Sequence, residues 1–140
     1  MQAPTFPTAS LLVASGGAAG AWARYLVGRA TTAILGPVRA TGFPWATLTC
    51  NVAGSFAMGL LVGWLARHGN DGAGFGGEHW RLLLGVGVLG GFTTFSAFSL
   101  EFVALVERGA AGMAMGYVAL SLIASFAGLF AGLWLMRSFA

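Results

Sequence analysis

Four apolar stretches of membrane-spanning length leave this chain few ways to fold, because lipid offers backbone N–H and C=O groups no partners but each other. They run over about residues 10–35, 44–66, 82–106 and 112–136. At about 20 residues per helical span, four helices and short loops account for the 140 residues. The expectation is an all-α membrane protein of four transmembrane helices forming one domain over 1–140. Only 8% of residues are charged and 57% are hydrophobic, whereas a soluble domain carries about 25% charged residues. The seven basic residues are all Arg and are scattered, so nothing points to nucleic acid. Met1 through Pro7 holds no basic residue before the first apolar run, so a cleaved signal peptide is not expected.

The third stretch contains Gly90-Gly91-Phe92-Thr93-Thr94-Phe95-Ser96-Ala97-Phe98-Ser99-Leu100-Glu101. Paired glycines, four hydroxyls and a carboxylate do not suit a lipid-facing helix. A helix can break there, and broken backbone at membrane depth is tolerated only inside protein or beside a water-filled cavity. If the first half ends near Gly90-Gly91, its last carbonyls need a new partner, such as a bound cation or a symmetry-related chain. The second half would start at Thr93 or Thr94 with a hydroxyl cap and a partly positive end, which favours anions. Phe95 and Phe98 share one helix face. They are either core packing or ring edges, the positive part of the aromatic quadrupole, offered to a small anion.

Other polar groups sit in the remaining stretches. Gly16 and Gly20 form a close-packing face in the first, as do Gly112/Gly116 and Gly128/Gly132 in the fourth. Arg24 must snorkel, face water or pair with an acid, and Glu101 is a candidate partner. In the second stretch Thr47, Asn51 and Ser55 fall at i, i+4 and i+8, and in the fourth Tyr117, Ser121 and Ser125 do the same. Each stripe is either glue between helices or the lining of a pathway. Trp45 and Trp64 lie about 29 Å apart along a helix at 1.5 Å per residue, so they read as anchors at opposite interfaces. Cys50 reads as a buried thiol.

Two motifs are discounted. Gly85-Val86-Gly87-Val88-Leu89-Gly90 matches a dinucleotide fingerprint, with Glu107 at a suitable distance, but lacks the strand-to-helix context that such a site needs. Packing glycines explain it better. His68, Asp71, Glu78 and His79 fit no ligand spacing, and the glycine-dense segment from Arg67 to Arg81 reads as a solvated connection. A second connection is expected over about 36–42.

Charge does not choose an orientation. With four spans, Arg67, Arg81 and Arg137 fall on one side and Arg29, Arg39 and Arg108 on the other. The positive-inside rule therefore predicts insertion both ways, which makes an antiparallel homodimer plausible.

The motifs Gly16-Gly17 through Gly20-Ala21 to Arg24-Tyr25, Thr47 through Asn51 to Gly54-Ser55-Phe56, and Gly90 through Ser96 and Phe98-Ser99 to Glu101 occur in order. In them the chain resembles the Fluc (CrcB) family of bacterial fluoride channels along nearly its whole length. The resemblance implies a dual-topology antiparallel homodimer in the bacterial cytoplasmic (inner) membrane, in contact with membrane lipid. It further implies passive fluoride efflux through two pores and no enzymatic activity. By position, Phe95, Phe98, Asn51, Thr47, Ser96, Tyr117, Ser121 and Ser125 would line the pores, with Arg24 and Glu101 at the entrances. The backbone carbonyls of Gly90 and Thr93 would hold a structural Na+ at the dimer interface. Ala46 and Ala97 stand where the family often has Gly and Thr, so one hydroxyl contact is missing. A small proton-coupled multidrug exporter is the alternative, but the first stretch holds Arg24 and no carboxylate. A non-transporting membrane subunit would leave the polar break unexplained.

Overall fold

The computed structural model describes residues 3–68 and 76–138. Among them the ordered elements are all helical: α1 (Phe6–Leu35), α2 (Pro37–Gly42), α3 (Trp45–His68), α4 (Gly77–Trp80), a π-helical segment (Arg81–Leu89), α5 (Gly90–Phe92), α6 (Phe95–Glu107) and α7 (Ala111–Ser138). Among the described residues three stretches are long and apolar enough to cross a membrane: Trp45–His68, Gly77–Glu107 taken through its interruption, and Ala111–Ser138. At 30 residues α1 has the length, yet its glycines, hydroxyls and two arginines keep it less apolar than the other three.

Local chemistry sets the ends. Pro37 opens α2, where a missing N–H costs no helical bond. The stretch expected to be a connection over 36–42 is therefore mostly helix. Gly36 turns the chain between α1 and α2 at φ 76°, a conformation that glycine adopts without a Cβ clash, and its N–H donates to the Thr32 carbonyl. At the far side, Arg108 donates to the Thr41 carbonyl at 3.1 Å and thereby supplies a partner for one of the last carbonyls of α2. The solvated connection expected up to Arg81 is likewise shorter, since α4 and the π segment carry helix back to Gly77. Asp71 lies outside the described residues. Among those described, no three His, Cys, Asp or Glu side chains gather.

The helices pack as two parallel pairs, each joined by glycine. Along α1, a methyl group at Gly16 would strike the Leu83 carbonyl, and one at Gly20 would strike the Val88 carbonyl and lie 2.8 Å from the Phe92 nitrogen. Gly87 and Gly91 return the fit from the other side, against Gly16 and Gly17. Both sequence numbers rise together, so α1 runs parallel to the π segment and α5. In the same way Gly59 meets Leu129, Gly63 meets Met136 and Gly132 meets Phe56, so α3 and α7 are parallel. Such contact lets backbones approach closely, the main attraction available where lipid is as apolar as the side chains. Gly112 and Gly116 have no atom within 4 Å of a built Cβ. The close-packing face expected there is not used among the described residues, because Gly112 and Gly116 are exposed while the neighbouring Ala114 and Tyr117 are the residues α7 buries. Where α3, α6 and α7 meet, Leu48, Leu105, Ala114 and Tyr117 form the buried core, flanked by Phe43, Phe98 and Phe102. Cys50 is fully buried.

Candidate functional site

Helical backbone stops at Thr93 and Thr94, which are extended at φ −83°, ψ 159° and φ −155°, ψ 125°. The interruption falls three residues later than the glycine pair. Gly90 and Gly91 stay helical, and Gly91 serves packing instead: its Cβ would lie 2.5 Å from the Gly17 carbonyl.

Side chains replace the lost helical bonds. The Thr94 N–H donates to Asn51 Oδ1 at 2.9 Å, and Asn51 Nδ2 donates to the Thr94 carbonyl at 3.2 Å. The Ala97 N–H donates to Thr94 Oγ1 at 3.3 Å, which makes Thr94 the N-cap of α6. In a continuous α-helix those two amides would donate to the carbonyls of Gly90 and Thr93. Both carbonyls have therefore lost their helical donors to side chains.

The two polar stripes predicted from the sequence face a common feature. At their heads, Thr47 Oγ1 donates to Glu101 Oε1 at 2.7 Å and the Tyr117 hydroxyl donates to Oε2 at 2.8 Å. Further along, Asn51, Ser55, Ser121 and Ser125 line a cavity of about 350 Å³ shared with Phe95 and Phe98. The phenylalanine rings lie 5.6 Å apart, and Phe98 stands 5.1 Å from Tyr117, so it connects the cavity to the carboxylate cluster. Phe95 is 78% exposed. Ser121 Oγ is buried and makes no hydrogen bond of good geometry among the described residues, with the Tyr117 hydroxyl as a neighbour, so it keeps capacity for a polar visitor or water.

Not every expected residue joins this group. The Ser96 hydroxyl lies 3.3 Å from Thr94 Oγ1, beside the interruption and off the cavity wall. The suggested Arg24–Glu101 pair does not form: hydroxyls take both Glu101 oxygens, and the ion pair found among the described residues is Arg81–Glu78. Sequence reasoning treated Thr47, Tyr117 and Glu101 separately. The available signal was that each stripe begins with a hydroxyl, but only helix rotation reveals that both meet one acid. Replacing Tyr117 with Phe removes a donor from a half-buried carboxylate. The expected loss of stability is about 1–3 kcal/mol, read by thermal unfolding in detergent, with a similar loss in Thr47→Val.

Among the described residues, an all-helical bundle with three membrane-length apolar helices, whose backbone break is hydrogen-bonded by its own side chains, defines a multi-pass integral membrane protein. The chain belongs to the CrcB-like family: the family model described as "CrcB-like protein, Camphor Resistance (CrcB)" matches residues 11–133. It is 56% identical over 133 residues to the fluoride-specific ion channel FluC of Novosphingobium aromaticivorans, covering 95% of this chain and 99% of the relative. The proteins of the same description from Phenylobacterium zucineum and Caulobacter vibrioides strain NA1000 are 54% and 51% identical. These alignments cover 92% and 91% of this chain and 95% and 94% of the relatives.

Proposed function

We propose that this protein is a fluoride-selective channel that lets the anion leave the cell passively across the cytoplasmic membrane. The observation that carries the reading is the convergence of two parallel polar stripes and two phenylalanines on one cavity beside the start of α6. Fluoride is small and strongly hydrated. A pore for it must replace water with donors and partial positive charge while holding the ion weakly enough to release it. Ser55, Ser121 and Ser125 supply hydroxyls, Asn51 retains a second amide hydrogen beyond its bond to Thr94, and Phe95 and Phe98 present ring edges. Thr47, Tyr117 and Glu101 continue the path past Phe98, with Arg24 drawing anions toward the entrance and Ser96 beside the break. The α6 N-terminus adds its dipole.

Four crossings fit the packing, because α1 runs alongside the membrane-length Gly77–Glu107 stretch. One chain leaves the Phe95 face open. The proposed assembly is an antiparallel homodimer of dual topology with two pores, each lined by both copies. Balanced arginines agree with it. The carbonyls of Gly90 and Thr93 suit a hard monovalent cation, which takes oxygen ligands. Two from each copy would hold Na+ between them, where it would tie the two interruptions together. The multidrug-exporter alternative is not favoured, since α1 carries no carboxylate.

The test is reconstitution into liposomes with a fluoride electrode. A membrane voltage set by a potassium ionophore is expected to drive fluoride out without a proton gradient, while chloride stays behind. Phe95→Ile is expected to slow that efflux at least tenfold, the loss of about 1.4 kcal/mol of stabilisation along the path, with dimer assembly unchanged on gel filtration. Flux that requires a proton gradient, or wild-type rates in Phe95→Ile, would remove the pore assignment.

A further inference from the structure

A second cavity, of about 430 Å³, lies away from the interruption, walled by Leu60, Leu61, Trp64, Trp80, Leu84 and Met136. Its wall is apolar throughout. The lining residues come from the last turns of α3 and α7 and from α4 with the adjoining π segment, so the groove sits at one end of the bundle. The Trp64 and Trp80 rings meet edge to face at 6.1 Å, and tryptophans prefer the headgroup level of a bilayer.

Basic residues crowd the same end. Arg67 follows Trp64 by about one helical turn, Arg81 adjoins Trp80, and Arg137 adjoins Met136. Arg81 is occupied, with Nε and Nη2 each donating to a Glu78 oxygen at 2.7 Å. Arg67 and Arg137 make no ion pair among the described residues. Arg67 and Arg137 therefore leave two cationic side chains at this end of the bundle, beside the apolar groove. A second copy of the chain is a poor occupant, because its opposite end carries Arg29, Arg39 and Arg108 and would set positive charge against positive.

We propose that the groove between the ends of α3, α4, the π segment and α7 binds an anionic phospholipid of the surrounding bilayer, one acyl chain against Leu60, Leu84 and Met136 and the phosphate at Arg67 and Arg137. The site is independent of the fluoride path and shares no residue with it. An acyl chain fills an apolar space that water would occupy only at a cost. The headgroup then meets two arginines able to bind phosphate oxygens in pairs.

The experiment uses native mass spectrometry and thermal unfolding of the purified full-length protein in detergent, with phosphatidylglycerol or phosphatidylcholine of identical chains added. Phosphatidylglycerol is expected to be retained preferentially and to raise the melting temperature, as any ligand selective for the native state does. Retention is expected to fall about five-fold for each of Arg67→Gln and Arg137→Gln, and to be lost in Leu84→Trp, which fills the groove. The arginine variants replace charges at helix ends and report even if Leu84→Trp fails to fold. Equal retention of the two lipids, undiminished retention in the arginine variants, or an equal stabilisation by glycerol 1-phosphate without acyl chains would overturn the proposal.

Discussion

Asn51→Ala is expected to abolish fluoride efflux and also to destabilise the bundle. The side chain holds the Thr94 N–H and C=O together at 2.9 and 3.2 Å, and alanine leaves both without a partner at membrane depth. Each buried backbone group left unpaired costs about 1–3 kcal/mol, so the variant should lose more than any single hydroxyl deletion in the cluster. Thr94→Val makes the comparison. It deletes the α6 cap but preserves both Asn51 bonds, for a loss of about 1 kcal/mol. Unfolding of the two variants in detergent, measured beside proteoliposome efflux, separates a residue that shapes the break from one that only decorates it. Equal stability in the two variants would show that Asn51 does not hold the interruption.

Gly20→Ala carries the other large effect. The added methyl group would fall on the Val88 carbonyl and close to the Phe92 nitrogen, and neither atom belongs to a side chain that can swing away. Overpacking usually costs about 1–3 kcal/mol where side chains can adjust. Here whole helices must separate, so a loss at or above the upper end is expected. Gly28→Ala, in the same helix, meets nothing within 4 Å and gains helix propensity of up to about 1 kcal/mol. Titration of both variants with denaturing detergent should place Gly20→Ala far below wild type and Gly28→Ala at or above it. A tolerated Gly20→Ala would mean that α1 does not seat against the π segment as described.

Much of the candidate site could be read from spacing. Polar residues at i, i+4 and i+8 must share a helix face, so the Thr47 and Tyr117 stripes were visible without coordinates. Phe95 and Phe98 were legible for the same reason. The rotation of each helix about its axis was not. Opposite charge in apolar surroundings suggested pairing Arg24 with Glu101, whereas the actual partners are two hydroxyls whose positions depend on how α3 and α7 turn. The glycine pair misled in a similar way. Gly90 and Gly91 look like helix breakers, but a glycine can equally be the place where two backbones touch, and sequence does not distinguish the uses. The π-helical geometry of Arg81–Leu89 had no periodic signature, since its residues are apolar or glycine on every face after Arg81. Pro37 is a residue that can open a helix, but among the glycines of 36–42 it read as part of a connection, and the short α2 was missed.

The parallel pairing has a consequence for biosynthesis. Gly16 and Gly20 are made about 70 residues before the Gly87 and Val88 that cover them. At about 5–20 residues per second the ribosome needs on the order of several seconds to deliver that partner. During this interval the seam of the first helix lies uncovered, and Gly59 and Gly63 of α3 await α7 in their turn. Nascent chains made close together can satisfy each other's seams first. Assembly therefore becomes a race between elongation and encounter, in which slow translation after residue 35 favours mispaired chains over finished ones.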